Sequence, residues 1–168
     1  MNRIAMPRWI TTVLFSLLLL VVQTTIVRFL SIETIGPDIL VIWVVALGIR
    51  DGHITGATIG FFAGLALDLL SGADGLLGLA ALSNTAAGFI AGYFYNENKT
   101  YQTLGSYQFL LILAGSALVH NLIYFIIFLQ GSGIRWWNAI LLYGLPSMLY
   151  TTAVGVLPMF VIARKHFI

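Results

Sequence analysis

Residues 52–72 read GHITGATIGFFAGLALDLLSG. Glycines stand at 52, 56, 60 and 64, and the next position in that series is Asp68. Residues four apart lie on one face of an α-helix, so Gly52, Gly56, Gly60, Gly64 and Asp68 form a single slowly drifting stripe. The stretch is long and apolar enough for a transmembrane helix, and small residues on one face let a second helix backbone come close in lipid. A carboxylate ending such a stripe is the anomaly. It lies roughly 24 Å of helix rise beyond Gly52, toward one membrane interface. Close to a helix C-terminus the dipole disfavours an anion. Asn84, a loop amide, an outer arginine or a partner protein would have to compensate it.

The rest of the chain agrees with a membrane setting. Of 168 residues, 60% are hydrophobic and 8% charged, with a mean hydropathy of +0.98. Soluble domains carry about 25% charged residues, which excludes an ordinary soluble globular protein. Apolar segments fall at about 9–29, 37–49, 54–70, 76–95, 104–129 and 138–163. These predict an all-α polytopic protein of six spans in one integral domain, 1–168. The first segment follows Arg3 and Arg8 like a signal peptide. It is longer than a secretory apolar core of about 7–15 residues and has no small-residue cleavage pattern, so it reads as a permanent span. The second segment opens at Pro37-Asp38, a helix-start pattern. Its 13 residues rise only about 20 Å, short of a hydrocarbon core of about 30 Å unless the helix begins earlier, near Ile32, or the bilayer adapts.

Charge placement gives the orientation. With the N-terminus inside, the inner side holds Arg3, Arg8, Arg50, Lys99, Arg164 and Lys165, and the outer side only Arg28 and Arg135. That bias predicts both termini in the cytoplasm. Trp136-Trp137, beside Arg135, then sit at the outer boundary as interfacial anchors, with partner binding as the other use of such a pair.

The fourth segment carries a matching small-residue stripe, Ala80, Asn84, Gly88 and Gly92, so the third and fourth segments should face each other as a hairpin. In that hairpin Asp68 and Asn84 are candidate hydrogen-bonding partners. Three roles stay open for Asp68: a lock on the hairpin turn, a contact for a partner, or an ion or proton relay. His120 and Asn121, with Ser116 one turn earlier, read as polar helix contacts, with a proton relay at His120 as the other use of a buried histidine. Pro146, Ser147 and Pro158 read as kinks whose freed carbonyls meet neighbouring hydroxyls. Patterns for catalysis are missing. Past the Asp38 that opens the second segment, Asp68 is the one acid within the spans, serines lack an evident base, and there are no cysteines and no metal-spaced histidines. The run GADGLLG, residues 72–78, lacks the Lys-Ser/Thr ending of a phosphate loop. No enzyme activity, cofactor, metal or nucleic-acid partner is expected.

The run GPDILVIWVVALGIRDGHITGATIGFFAGLALDLLSGADGLLGLAALSNTAAGFIAGYF, residues 36–94, resembles the rod shape-determining protein MreD family. The resemblance rests on Pro37-Asp38, Gly56, Gly60-Phe61, Gly64-Leu65, Asp68, Ser71-Gly72 and Gly78. It implies a non-enzymatic protein of the bacterial inner membrane that pairs with the bitopic protein MreC. It also implies membership of the elongation machinery with MreB, RodZ, RodA and a class B penicillin-binding protein, and so a part in cell shape and peripheral peptidoglycan synthesis. The family is similar in fold to the S components of energy-coupling-factor vitamin transporters, which supplies an alternative function. S components dock through an Ala-x-x-x-Ala stripe on the first helix, whereas WITTVLFSLLLLVVQTTIVRF, residues 9–29, has no alanine. Its leucine and valine faces suit lipid or a partner helix.

Overall fold

The computed structural model describes residues 7–31, 35–71, 76–130 and 135–167, and the regular elements in them are helical. Along the chain come α1 (Arg8–Thr25), α2 (Val27–Leu30), α3 (Ile39–Asp51), α4 (His53–Ser71), α5 (Leu79–Gly92), α6 (Thr100–Leu104), α7 (Tyr107–Phe128), α8 (Trp136–Ala139) and α9 (Leu145–Phe167). A π-helical turn, Ile140–Gly144, joins α8 to α9.

Among the described residues, four stretches are long and apolar enough to cross a bilayer: Arg8–Thr25, His53–Leu70, Tyr107–Phe128 and Trp136–Lys165. Length alone therefore qualifies four of the six expected spans. The other two segments form the short helices α3 and α5; α3 is enclosed by its neighbours, while α5 keeps Leu82 and Phe89 exposed. In α3, Leu40, Val41, Ile42, Val44, Val45, Leu47, Gly48 and Ile49 are all buried. A helix that is apolar all round is a core helix, and α3 fits that description. Its Val41, Ile42, Val45 and Ile49 pack with Ala87 and Ala91 of α5, Leu104 of α6, and Phe109, Leu113 and Ala117 of α7.

Several boundaries differ from the sequence reading, each for a local reason. Pro37 and Asp38 precede α3 instead of opening it. Asp38 is the N-cap, and its side chain accepts a hydrogen bond from the Val41 amide. The earlier start near Ile32 falls on residues outside those described; the helix begins at Ile39. The first segment breaks at Ile26 into α1 and the single turn α2. The fourth starts at Leu79 because Gly78 is left-handed, φ +93°, a conformation only glycine adopts freely. A second such residue, Gly52 at φ +91°, turns the chain between α3 and α4. Around Pro146, a regular helix would drive the proline ring into a preceding carbonyl. The wider π-helical turn lies just ahead of it, and Asn121 donates to the Gly144 carbonyl at 2.8 Å. This bond ties α7 to the π-helical turn.

Candidate functional site

Helices α4 and α5 meet backbone to backbone. A methyl group added at Gly56 would stand 2.5 Å from the Gly88 carbonyl oxygen. One at Gly60 would run into the Asn84 carbonyl, and one at Gly64 into that of Ala80. From the other side, a side chain at Gly92 would collide with the backbone of Gly52 and His53. Each contact steps four residues forward on α4 and four back on α5, so the two stripes run antiparallel in one register. Gly52 belongs to the turn at the end of this interface and not to the α4 face. Gly48 of α3, one step before Gly52 in the same four-residue series, joins the same contact: a methyl there would lie 2.7 Å from the Gly88 carbonyl oxygen. Three helices thus cross at Gly48, Gly56 and Gly88. The four-residue spacing of Gly48 from Gly52 was the signal in the sequence, although the left-handed turn at Gly52 places it on a separate helix.

Asp68 continues the register past the last glycine and meets the start of α5. One carboxylate oxygen accepts from the amides of Gly78 at 3.0 Å and Ala81 at 3.1 Å, and the other from Ala80 at 3.0 Å. These amides have no partner within their own helix, and the positive end of its dipole favours an anion. The carboxylate at the C-terminal end of α4 is therefore stabilised by the N-terminus of α5. Asn84 is not its partner. Its side-chain amide donates to the Ala80 carbonyl at 3.0 Å, one turn back in α5.

A second polar centre lies at the same end of the bundle, where α3 and α5 begin and α4 and α7 end. The Asp38 amide donates to Thr151 Oγ1 at 2.9 Å, and Ser147 donates to the Gly36 carbonyl at 3.3 Å. Gln23 of α1 brackets the same turn. It accepts from the Ile39 amide at 2.9 Å and donates to the Pro37 carbonyl at 3.4 Å. Asp38 also faces His120 of α7, with 3.9 Å between Oδ2 and Nε2. In sequence His120 has no acidic neighbour; the fold brings Asp38 from 82 positions away.

The family model described as rod shape-determining protein MreD matches residues 3–163. The chain belongs to that family. Comparison with curated proteins and with solved structures finds no match, so the likeness to transporter S components gains no support. Membership makes this a membrane protein of rod-shape determination. The family-type residues read from sequence divide between two places. Gly56, Gly60, Gly64, Asp68 and Gly78 build the α4–α5 contact, with Gly88 and Gly92 opposite, while Pro37-Asp38 form the buried turn ahead of α3. Phe61 lies on the outer face of α4, exposed, and touches Phe62 edge-on at 5.4 Å between ring centres. Leu65 is half-buried, Ser71 ends α4, and Gly72 lies outside the described residues.

On the far side of α4 from α5 runs an apolar groove of about 680 Å³ between α4 and α1. Small residues line it on both sides, Thr12 and Ser16 from α1 and Thr55, Thr58, Ala63 and Ala66 from α4. Its mouth at the other end of the bundle carries Arg8, Trp9 and the paired Arg50 and Asp51.

Proposed function

We propose that the protein is a non-enzymatic scaffold of the bacterial cell-elongation complex in the inner membrane, and that the groove between α1 and α4 receives the single membrane helix of MreC. The observation that carries this reading is the groove itself. Helices associate in lipid through close packing and not through hydrophobicity, so a concave surface floored by alanine, serine and threonine offers more contact than a flat leucine face. An inserted helix would gain apolar wall on two sides, as in other helix-in-groove recognition. The exposed Val13, Leu17 and Phe62 at its rim supply the larger side chains such a helix would grip.

In this reading the chain forms one integral domain that passes the bilayer six times with both termini in the cytoplasm. The short helices α3 and α5 complete the six passes inside the bundle. The gathering of Arg8, Arg50, Lys99, Arg164 and Lys165 on the predicted inner side supports this orientation. The glycine stripe and its Asp68 cap are structural parts that keep α4 rigid, so that the groove it lines keeps its shape. RodA, the class B penicillin-binding protein, MreB and RodZ would join through MreC or other faces, with lipid covering what remains. Cell shape and peripheral peptidoglycan synthesis are then supported by assembly, with no chemistry in this chain.

The test is photo-crosslinking in native membranes. A crosslinking amino acid replaces Leu17 or Phe62 at the groove, or Leu149 on α9 as a control. Adducts to MreC from the groove positions and none from Leu149 are expected. Adducts from Leu149 alone, or no MreC in any adduct, would overturn the proposed docking face.

A further inference from the structure

The second polar centre encloses a cavity of about 280 Å³, walled by the end of α1, the turn before α3, and facing residues of α4, α5, α7 and α9. Most of its polar side chains are committed to the walls. Gln23 is bound to residues 37 and 39, Ser147 to Gly36, Asn121 to Gly144, and Ser31 to the Val27 carbonyl at 3.2 Å. Two groups remain. Asp38 spends Oδ1 on the cap of α3, 3.0 Å from the Val41 amide, and turns Oδ2 toward His120 at a distance too long for a hydrogen bond. His120 is 5% exposed and its Nδ1 has no partner. Among the described residues neither lysine nor arginine lines the cavity, and Tyr124 and Phe125 form part of its wall.

We propose that this cavity binds an organic ammonium group, with Asp38 Oδ2 as its acceptor. Three features select that chemistry. Among the described residues on the wall the carboxylate of Asp38 is the permanent charge, so an anion would enter against its repulsion. The free lone pairs of a carboxylate call for a charge-assisted donor, the strongest kind of hydrogen bond. Aromatic rings on the same wall, Tyr124 and Phe125, attract a cation through their quadrupoles. A metal ion fits less well, because among the described residues no group of three or more histidine, cysteine, aspartate or glutamate side chains gathers. The volume lies below the usual range of about 300–1,000 Å³ for small-molecule pockets, which suits a head group or a small amine. The ammonium could come from a soluble amine or from the ethanolamine head group of a lipid, since the cavity lies near the helix ends.

The experiment compares wild type with Asp38→Asn. Asparagine caps a helix about as well as aspartate, so the variant removes the charge and keeps the start of α3. In lipid-free detergent, n-butylammonium chloride is titrated at constant ionic strength against sodium chloride, with the thermal midpoint as readout. In a parallel arm, the protein in nanodiscs of phosphatidylethanolamine is compared with nanodiscs of phosphatidylglycerol. A saturable rise with butylammonium, or a higher midpoint in the ethanolamine lipid, is expected. Asp38→Asn should weaken the response at least tenfold in the titration or abolish the lipid difference. The responding arm identifies the source. Leu67→Trp, which fills the cavity from α4, should abolish the response independently. No response in either arm, or one that both variants leave unchanged, would overturn the proposal.

Discussion

Helix α5 and helix α1 are both apolar, yet they are held by opposite means. The contact of α5 with α4 is made of backbone on backbone, with Gly56, Gly60, Gly64, Gly88 and Gly92 leaving no room for a single added methyl. Asp68 then fixes the end of that contact through three amides of the α5 start. By contrast α1 buries only Leu20 along its 18 residues. Its attachments are few and mostly polar: Trp43 Nε1 donates to Ser16 Oγ at 2.9 Å, the Phe15 and Trp43 rings lie 4.6 Å apart, and Gln23 grips the turn before α3. Val13, Leu14, Leu17, Leu18 and Val21 stay exposed. Close packing is what holds helices together where lipid is as apolar as leucine. A helix without it is held by local hydrogen bonds, and its apolar surface is left for lipid or another protein. The contrast separates a rigid interior from a face available for assembly.

The largest effect that would break this comparison is a side chain in the hairpin. Gly64→Val should force α4 from α5 at the Ala80 carbonyl, cost about 3 kcal/mol, the upper end of overpacking, and lower both membrane accumulation and the thermal midpoint. If Gly64→Val melts like wild type, the helices are not locked there. Asp68→Ala should come next, at about 1–3 kcal/mol, because it leaves the amides of Gly78, Ala80 and Ala81 without their acceptor. Denaturation in detergent measures that loss, and Asp68→Asn, which retains one acceptor oxygen, should recover part of it.

Smaller effects sharpen the other side. Trp43→Phe removes the hydrogen bond to Ser16 and should cost about 1 kcal/mol. Its trace in hydrogen exchange should be faster opening of α1 with α5 unchanged. Gly115 of α7 offers a control for glycine as such, since a methyl there would meet nothing within 4 Å. Gly115→Ala should stabilise by about 0.5–1 kcal/mol through helix propensity alone. Leu17→Ala should shift stability least, within about 0.5 kcal/mol, because the side chain is exposed. Under the docking proposal it should nonetheless reduce recovery of MreC in affinity purification from native membranes.

What the sequence determined by itself was periodic. A four-residue spacing of small residues defines a helix face whatever surrounds it, so Gly56, Gly60 and Gly64 and the facing stripe on α5 were legible, as was the apolar character of the whole chain. The stripe also marked Asp68 as an exception needing a partner. Naming that partner required the turn geometry: Gly78 in a left-handed conformation aims the free amides of α5 back at the carboxylate, and Asn84 turns to its own helix. The tertiary structure alone decided everything that joins distant positions without a repeat. Asn121 reaches the Gly144 carbonyl of the π-helical turn, and Asp38 comes to face His120. It also decided that α3 is a core helix, since a short apolar run reads alike whether lipid or protein surrounds it. Periodicity is a property of one helix and is written along the chain. Contact between helices depends on how all of them pack, and no local pattern encodes it.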